Sequence, residues 1–579
     1  MLRGIKVVSI KKIKDISLET LRHSTSHIMA QAVVELFPDT KLAIGPAIEE
    51  GFYYDFDTPQ PFKPEDLEKI ENRMREIVAG NHKFVRTEMS KKDAVEFFKK
   101  KNEPYKIELL NDIPDEKVSL YQQDTFIDLC RGPHLENTKG IRHFKLLSIA
   151  GAYWRGSEKN KMLQRIYGTV FPTKEELEQY LKRQEEAKKR DHRILGKLLD
   201  LFSVHEEIGA GLIHWHPKGA IVREILEDFW KKEHIKNGYQ IVYTPHIASE
   251  EIYKISGHLE KYSDMIYSPM DIDGKPFRVK PMNCPGHILI FKTKLHSYRE
   301  LPVRFAEMGA VYRHELSGVL HGLMRVRGFT IDDAHIFCTK EQVENEIISV
   351  FDFTIKFLKK FGFSEFEIFL ATRPETYIGE IEKWDLATAS LKKALEKTGY
   401  KYEIDAGGGA FYGPKIDLKV KDVLGRSWQC STIQFDFNLP ERFDITYRNE
   451  DGKDEKVIMI HRAIFGSLER FFGVLIEHYG GAFPFWLAPV QIKILPITDA
   501  QIEYARLVKN ELGDLRVEID SRNEKLNYKI REAQMEKIPY MIILGEKEKN
   551  TKTIAVRKYG RTKTEVFSVS EFLKKLFDK

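Results

Sequence analysis

At 579 residues the chain is too long for a single hydrophobic core, and about three to four domains are expected. Apolar residues at 42% and charged residues at 31% exclude an intrinsically disordered or low-complexity protein. A net charge of +5, from 92 Lys and Arg against 87 Asp and Glu, neither demands nor excludes nucleic acid, because basic side chains can still be gathered on one face.

The first residues lack the apolar run of a secretory signal, and no later run reaches the roughly 20 apolar residues that span a bilayer. A cytosolic protein without a membrane partner is the expectation. Cys130, Cys284, Cys338 and Cys430 lie far apart with no C-x-x-C pair, which argues against a disulfide scaffold. Each is then a core thiol, a metal ligand or a reactive group.

In chain order, residues 1–17 form a short N-terminal remnant, and 18–173 a mixed segment with turn-rich loops. Within it His23 and His27 are four apart on one face of a predicted helix. Cys130 and His134 are also four apart, in Asp128-Leu-Cys-Arg-Gly-Pro-His134. By ligand count alone these four residues fit a tetrahedral zinc site, while helix-face histidines satisfied in a core are the plainer alternative. Residues 174–195 are charged, rich in helix formers and poor in apolar positions, which predicts a solvated linker helix.

From 196 to 485 a long unit is expected. Val222, Ile225, Leu226 and Phe229 mark one face of a helix over 220–236, and Pro245 ends a strand over 241–245. Farther on come Val303-Arg-Phe-Ala-Glu-Met-Gly-Ala-Val-Tyr-Arg-His-Glu315, the segment from Gly328 to Cys338, and Gly466-Ser-Leu-Glu-Arg-Phe-Phe472 at the start of an apolar helix. Residues 486–579 alternate apolar strands (492–497, 516–519, 540–544, 553–557) with amphipathic helices (500–512, 524–535, 570–576), the pattern of a small open α/β sheet.

The helix over 220–236 with the strand ending at Pro245 resembles motif 1 of class II aminoacyl-tRNA synthetases, the segments 303–315 and 328–338 together resemble motif 2, and Gly466–Phe472 resembles motif 3. That resemblance implies an antiparallel-sheet catalytic core in an α+β and α/β multidomain chain, and a homodimer formed through motif 1. Attack of a carboxylate on the α-phosphate of ATP concentrates negative charge, so fixed guanidinium groups are wanted where it develops. By resemblance Arg313 holds the α-phosphate, Glu315 and Phe329 seat adenine, and Arg325 and Arg470 grip the outer phosphates of ATP, which enters with Mg2+. Lys415 stabilises the activating phosphoryl group.

Cys284, His335 and His461 stand where the threonyl-tRNA synthetase family binds one Zn2+ per chain. A Cys and two His leave a tetrahedral position open, and zinc can accept the amino and hydroxyl groups of threonine together, which valine cannot offer. Asp333 matches the family residue that binds the substrate hydroxyl, with Met282, Tyr412, Gln429, Thr432 and Ser467 lining the threonine pocket. The family usually carries Gln where this chain has Ile331.

Serine keeps the hydroxyl and lacks only a methyl, a difference that selective binding turns into only about 10–200-fold discrimination, so editing is expected. The N-terminal signatures resemble the editing domain shared by threonyl- and alanyl-tRNA synthetases. By that resemblance His23, His27, Cys130 and His134 form the pocket for seryl-tRNA hydrolysis, with Lys106 and Asp128 assisting. The threonyl family edits without metal, against the zinc reading from ligand count. The last unit resembles the anticodon-binding domain of the same subgroup, with Asn523, Arg531, Glu548 and Arg557 as tRNA readers, and the family's N-terminal β-grasp domain is expected to be missing. An RNA-binding regulator descended from such an enzyme would be expected to lose Arg313, Arg470 or the zinc ligands. A free-standing hydrolase would leave most of the chain unused.

Overall fold

The computed structural model describes residues 17–577, so the N-terminal remnant lies almost wholly outside the described residues. The chain divides into two compact units, one ending at Glu185 and one beginning at Glu186.

The first unit is organised by the helix Leu18–Leu36. Its N-terminus is fixed by Ser17, whose hydroxyl accepts from the Thr20 amide at 3.1 Å. Every residue from Ser24 to Val33 is buried, the polar ones included. It packs with the helix Pro64–Ala79 on an antiparallel sheet ordered Lys41–Leu42, Gly51–Asp57, Met162–Phe171, His143–Tyr153, with Ala47–Ile48 also on Gly51–Asp57. Ile28, Met29, Phe52, Phe56 and Ile166 make that core. A smaller antiparallel sheet, Val85–Ser90, Lys117–Gln123 and Phe126–Leu129, carries the helices Lys91–Lys100 and Pro104–Asp112.

Where one linker helix is expected over 174–195, two are found. Lys174–Arg190 stops, Asp191 caps the next by accepting from the Arg193 amide at 2.8 Å, and His192–Leu198 follows. His192 is wholly buried there: its ring and amide meet Glu477 at 2.7 and 3.1 Å, and Nε2 accepts from the Leu323 amide at 3.0 Å. A buried side chain with both ring nitrogens engaged fixes the break in a way helix propensity does not show.

The second unit is built on an eight-stranded sheet. Its order is Gln240–Ile241, Val303–Tyr312, Gly328–Cys338, Ile458–Ala463, Ser427–Asp436, Lys415–Lys421, Phe366–Ala371, Glu403–Asp405, antiparallel throughout except for the two edge pairs. The helices Pro217–Lys236, Val343–Lys360, Ile381–Thr398 and Leu468–Tyr479 supply Trp230, Phe351, Trp384 and Phe471 to its core. The strand expected over 241–245 is only Gln240–Ile241, because pairing ends once the chain turns toward Pro245.

Asp332 locks the middle of this sheet. Fully buried, it accepts from Trp230 Nε1 at 2.6 Å, Arg462 Nη1 at 2.7 Å, and the Ile464 and Phe465 amides at 2.7 and 3.0 Å. The C-terminal region holds a five-stranded sheet ordered Val517–Ile519, Ile492–Pro496, Tyr540–Leu544, Ile554–Lys558, Thr564–Phe567, parallel in the first three strands and antiparallel beyond. The last of these strands has no counterpart in the sequence expectation, because Thr564–Phe567 is half polar and short. No helix among the described residues is long and apolar enough to cross a membrane.

Candidate functional site

In the second unit a cavity of about 480 Å³ opens over the eight-stranded sheet. Its wall includes Met282, Cys284, Arg313, Ile331, Asp333, His335, Tyr412, Thr432 and His461. The strand Gly328–Cys338 supplies Ile331, Asp333 and His335 at period two, which is why all three face one side. His461 enters from the neighbouring strand, directly opposite His335 in the ladder. Cys284 begins the short helix Cys284–Lys292.

The Cys284 thiol and the two histidine rings bring one donor atom each to within 4.8 Å of one another. His335 Nε2 and His461 Nδ1 are 3.0 Å apart, and His461 Nε2 lies 2.7 Å from Asp436 Oδ2. Burial holds the Cys284 thiol well above its ordinary pKa, with Asp333 and Asp436 adding to the rise. Burial likewise pushes His335 well below the usual histidine range, with His461 and His287 adding to it, so its ring is neutral. A thiol flanked by two imidazoles is a soft, preorganised donor set of the kind zinc takes, and a bound cation would lower the thiol's pKa. Asp333 points its carboxylate at Asn283 Nδ2, 3.0 Å away, with His335 Nε2 at 3.7 Å.

Of the remaining candidates for this region Arg313 lines the cavity, while Glu315, Arg325, Phe329, Lys415, Ser467 and Arg470 do not. Arg313 lies over the Phe329 ring at 5.3 Å and donates to the Pro281 carbonyl at 3.2 Å. Arg325 donates to Glu315 at 3.0 Å, an ion pair within the loop joining the two strands. Ser467 caps the helix Leu468–Tyr479 by accepting from the Arg470 amide, while Arg470 Nε is buried with no partner. An orphaned guanidinium nitrogen is a standing demand for an anion. Lys415 pairs with Asp417 at 2.7 Å, and Asp417 in turn accepts from Thr432. Gln429 lies on the same strand as Thr432 but does not line the cavity; a bulge in that ladder opposite Leu418 and Lys419 intervenes.

Gln434 also lines the cavity and hydrogen-bonds Tyr412, although the motif reading passed over it. Two residues beyond Thr432 on one strand, it was findable by alternation alone. His258, Tyr262 and Arg462 line the cavity too, and no local pattern announces them.

In the first unit the predicted histidine helix face is real. His23, His27, Cys130 and His134 bring one donor atom each to within 4.8 Å. Cys130 Sγ lies 3.3 Å from His23 Nε2 and 3.2 Å from His134 Nε2, and His134 stacks on Phe84. Burial pushes the Cys130 thiol up to about 12 and lowers all three histidines. At neutral pH the cluster is therefore a protonated thiol among neutral imidazoles. His27 Nδ1 is buried without a partner.

Lys106 and Asp128 join beside it as a buried pair at 2.5 Å. Tyr54, which the sequence did not single out, completes the group: it donates to Asp128 at 2.6 Å and accepts from Lys106 at 2.9 Å. Tyr54 sits in an apolar strand reading Phe-Tyr-Tyr-Asp-Phe, where an aromatic residue looks like core. A second cavity of about 570 Å³, lined among others by Arg86, Lys117, Cys130 and Arg131, opens next to this cluster. The third group with metal-ligand chemistry, Asp191, His192 and Glu477, is engaged internally as described above.

The anticodon candidates are not brought together by hydrogen bonds. Asn523 is exposed in the loop after Val517–Ile519, and Arg531 is exposed on the helix Leu526–Met535. Glu548 caps its own helix by accepting from the Gly545 amide at 2.9 Å, and Arg557 donates to the Arg561 carbonyl. Arg522, next to Asn523, is held by Asp520 and Glu532.

The class II tRNA synthetase core domain (G, H, P, S and T) matches residues 267–479, an anticodon-binding domain matches 491–579, and the second additional domain of threonyl- and alanyl-tRNA synthetases matches 118–167. The threonine–tRNA ligase of Dehalococcoides mccartyi is 57% identical over 542 residues, 93% of each chain. That of a Sulfurihydrogenibium species is 54% identical over 574 residues, 98% of this chain and 89% of the other. The crystal structure titled as the RNA-binding domain of threonyl-tRNA synthetase from Cryptosporidium parvum superposes with a TM-score of 0.65 at 41% identity, covering 67% of this chain and 98% of its own. With identity above one half sustained over nearly its whole length, on the site geometry just described, the chain belongs to the threonine–tRNA ligase family of class II aminoacyl-tRNA synthetases.

Proposed function

We propose that the two sites divide the work of a threonine–tRNA ligase, the sheet cavity charging tRNA with threonine and the N-terminal cluster hydrolysing seryl-tRNA made in error. The observation that carries this reading is the convergence of Cys284, His335 and His461 beside Asp333 in one cavity. Those three residues would hold Zn2+, which when bound would supply Lewis acidity toward the amino and hydroxyl groups of threonine. Asp333 accepts a hydrogen bond from the hydroxyl, Met282, Tyr412 and Thr432 border the substrate, and Ser467 stands behind Ile331, to which it is bridged.

In the first step the threonine carboxylate attacks the α-phosphate of ATP, the bond to the β-phosphate breaks, and pyrophosphate leaves with threonyl-adenylate remaining. Arg313, Lys415 and Arg470 meet the charge that develops, Arg470 with its unpartnered Nε. Glu315 and Phe329 seat adenine, and Arg325 takes the outer phosphates of Mg-ATP once its pairing with Glu315 is released. A ribose hydroxyl of the tRNA then attacks the acyl carbonyl and displaces AMP.

For editing, the neutral imidazoles of His23, His27 and His134 can hold a water and take its proton, and the Lys106–Asp128–Tyr54 group fixes the 3′ end. The Cys130 thiol is protonated, which supports a role in shaping the pocket instead of attacking the ester. Metal-free hydrolysis is the reading the family supports, although the four donors also fit a tetrahedral ion. Asn523, Arg531, Glu548 and Arg557 contact the anticodon. We further assign a homodimer through the motif 1 helix and strand, a cytoplasmic location, and domains over 18–173, 174–195, 196–485 and 486–579. Exposure of Ile235, Tyr243 and Ile247 around motif 1 supports the dimer.

The test is ATP–pyrophosphate exchange with threonine, serine and valine on protein of determined zinc content. Exchange with threonine, less with serine and almost none with valine, at about one zinc per chain, is the expected result. Absence of exchange with all three overturns the charging assignment in favour of an RNA-binding regulator.

A further inference from the structure

His335 has a different neighbour at each ring nitrogen. Its Nε2 faces His461 Nδ1 at 3.0 Å, inside the cavity, while Nδ1 lies 2.8 Å from Nδ1 of His287, a residue with no solvent exposure on the helix Cys284–Lys292. His287 Nε2 in turn lies 3.1 Å from Glu307 Oε2. We propose that Glu307 and His287 are positioning residues for the metal centre, acting through His335. Together they set the tautomer in which His335 presents a bare Nε2 to the ion. The proposal rests on reading Cys284, His335 and His461 as metal ligands.

Glu307 is almost wholly buried and is approached by the Thr244 amide at 2.9 Å, the Thr244 hydroxyl at 2.8 Å and Lys280 Nζ at 3.3 Å, besides His287. Lys280 is itself buried, so Glu307 is the anion that balances it. Against the cost of burial, the hydrogen bonds from His287 and Thr244 hold Glu307 down at about 2. A carboxylate only accepts, so His287 carries its proton on Nε2 and is bare at Nδ1. His335 must then donate Nδ1–H to His287, which leaves Nε2 without a proton.

Asp436 does the same for His461 from the other side, accepting at 2.7 Å from Nε2 and leaving Nδ1 bare. Two bare imidazole nitrogens thus face each other at 3.0 Å with no hydrogen between them, an arrangement that a cation relieves. The two histidines are reached by different means. A carboxylate touches His461 directly, whereas for His335 the carboxylate acts through a second imidazole.

Glu307→Gln is the decisive variant, because it keeps volume and shape. The Thr244 amide cannot turn away, so the glutamine oxygen must stay on it and the amide nitrogen falls opposite His287 Nε2. That nitrogen donates, the His287 proton moves to Nδ1, and His335 is driven to carry its own proton on Nε2, where the ion belongs. Zinc affinity, measured by competition with a chromophoric chelator, should fall about 10–100-fold. The Co2+-substituted protein should lose intensity or shift in its ligand-field bands. His287→Leu should match Glu307→Gln, while His287→Asn, which keeps an acceptor at the δ position, should recover much of the loss.

Wild-type affinity and an unchanged Co2+ spectrum in Glu307→Gln would overturn the proposal. If His287→Leu does not fold, Glu307→Gln alone decides it. A wild-type chain that binds neither Zn2+ nor Co2+ would instead remove the metal reading on which it stands.

Discussion

Replacing Asp332 by Asn is expected to cost about 3–5 kcal/mol of stability without altering the size of any side chain in the core. The wild-type carboxylate accepts four hydrogen bonds, from Trp230, Arg462 and the Ile464 and Phe465 amides, all out of solvent. The two backbone donors cannot move, so the asparagine oxygen remains with them. Its amide group then points N–H bonds at the Trp230 and Arg462 donors. The Arg462 guanidinium, fully buried and already short of one partner at Nη2, is left as an uncompensated charge. At roughly 2–4 °C per kcal/mol for a large domain, the thermal transition of the core should drop by about 6–20 °C. Differential scanning calorimetry measures it, and hydrogen exchange at Ile464 and Phe465 localises it. A second substitution, Arg462→Met, made on top of Asp332→Asn, should return part of the loss, since the pair removed together leaves no orphan charge. A transition within about 2 °C of wild type for Asp332→Asn would refute the reasoning.

Three further outcomes are expected. Burial raises Glu469 from 4.5 to about 7. The fold therefore favours its protonated form, and this contribution, about 3 kcal/mol in full, is complete below pH 4.5 and lost as pH rises through about 7. Glu469→Gln should then melt higher than wild type at pH 8 and together with it at pH 5; parallel melting curves across that range would contradict the assignment. Ile331→Gln adds a polar group to the cavity wall beside Asp333 and should lower KM for threonine by roughly 2–10-fold, one net hydrogen bond, with zinc content unchanged. Lys106→Ala should slow seryl-tRNA hydrolysis by about 10²-fold or more while leaving threonine-dependent pyrophosphate exchange intact; equal loss of both activities would show that the two sites are not separate.

The residues legible in the sequence were those whose neighbours along the chain form a pattern. His23 and His27 were placed on one helix face by their spacing, and the helix Leu18–Leu36 carries them so. The apolar helix after Gly466 was likewise readable, because its apolar run and the glycine before it stand in the local string. Illegible were the groups that act on these residues from elsewhere. Glu307, His287 and Asp436 reach the metal candidates across strand pairings and a helix packing that join distant parts of the chain. Tyr54 reaches Lys106 and Asp128 in the same way, from within what reads as an apolar strand. The break at Asp191 was hidden because its cause is a tertiary partner of His192 and not a helix-breaking residue.

The placement of Ile331, Asp333 and His335 on alternate positions of one central strand makes that strand a ruler. Consecutive pocket residues stand two steps of about 3.3 Å apart, and the residues between them, Asp332 and Ala334, belong to the opposite face. Inserting or deleting one residue between 331 and 335 would exchange the two faces, carrying the core's carboxylate into the cavity and an imidazole into the core. The loop between Tyr312 and Gly328, at the end of the same hairpin, is not held to that alternation. Among descendants of this chain, insertions and deletions of one residue should therefore be absent from the five residues of the ruler.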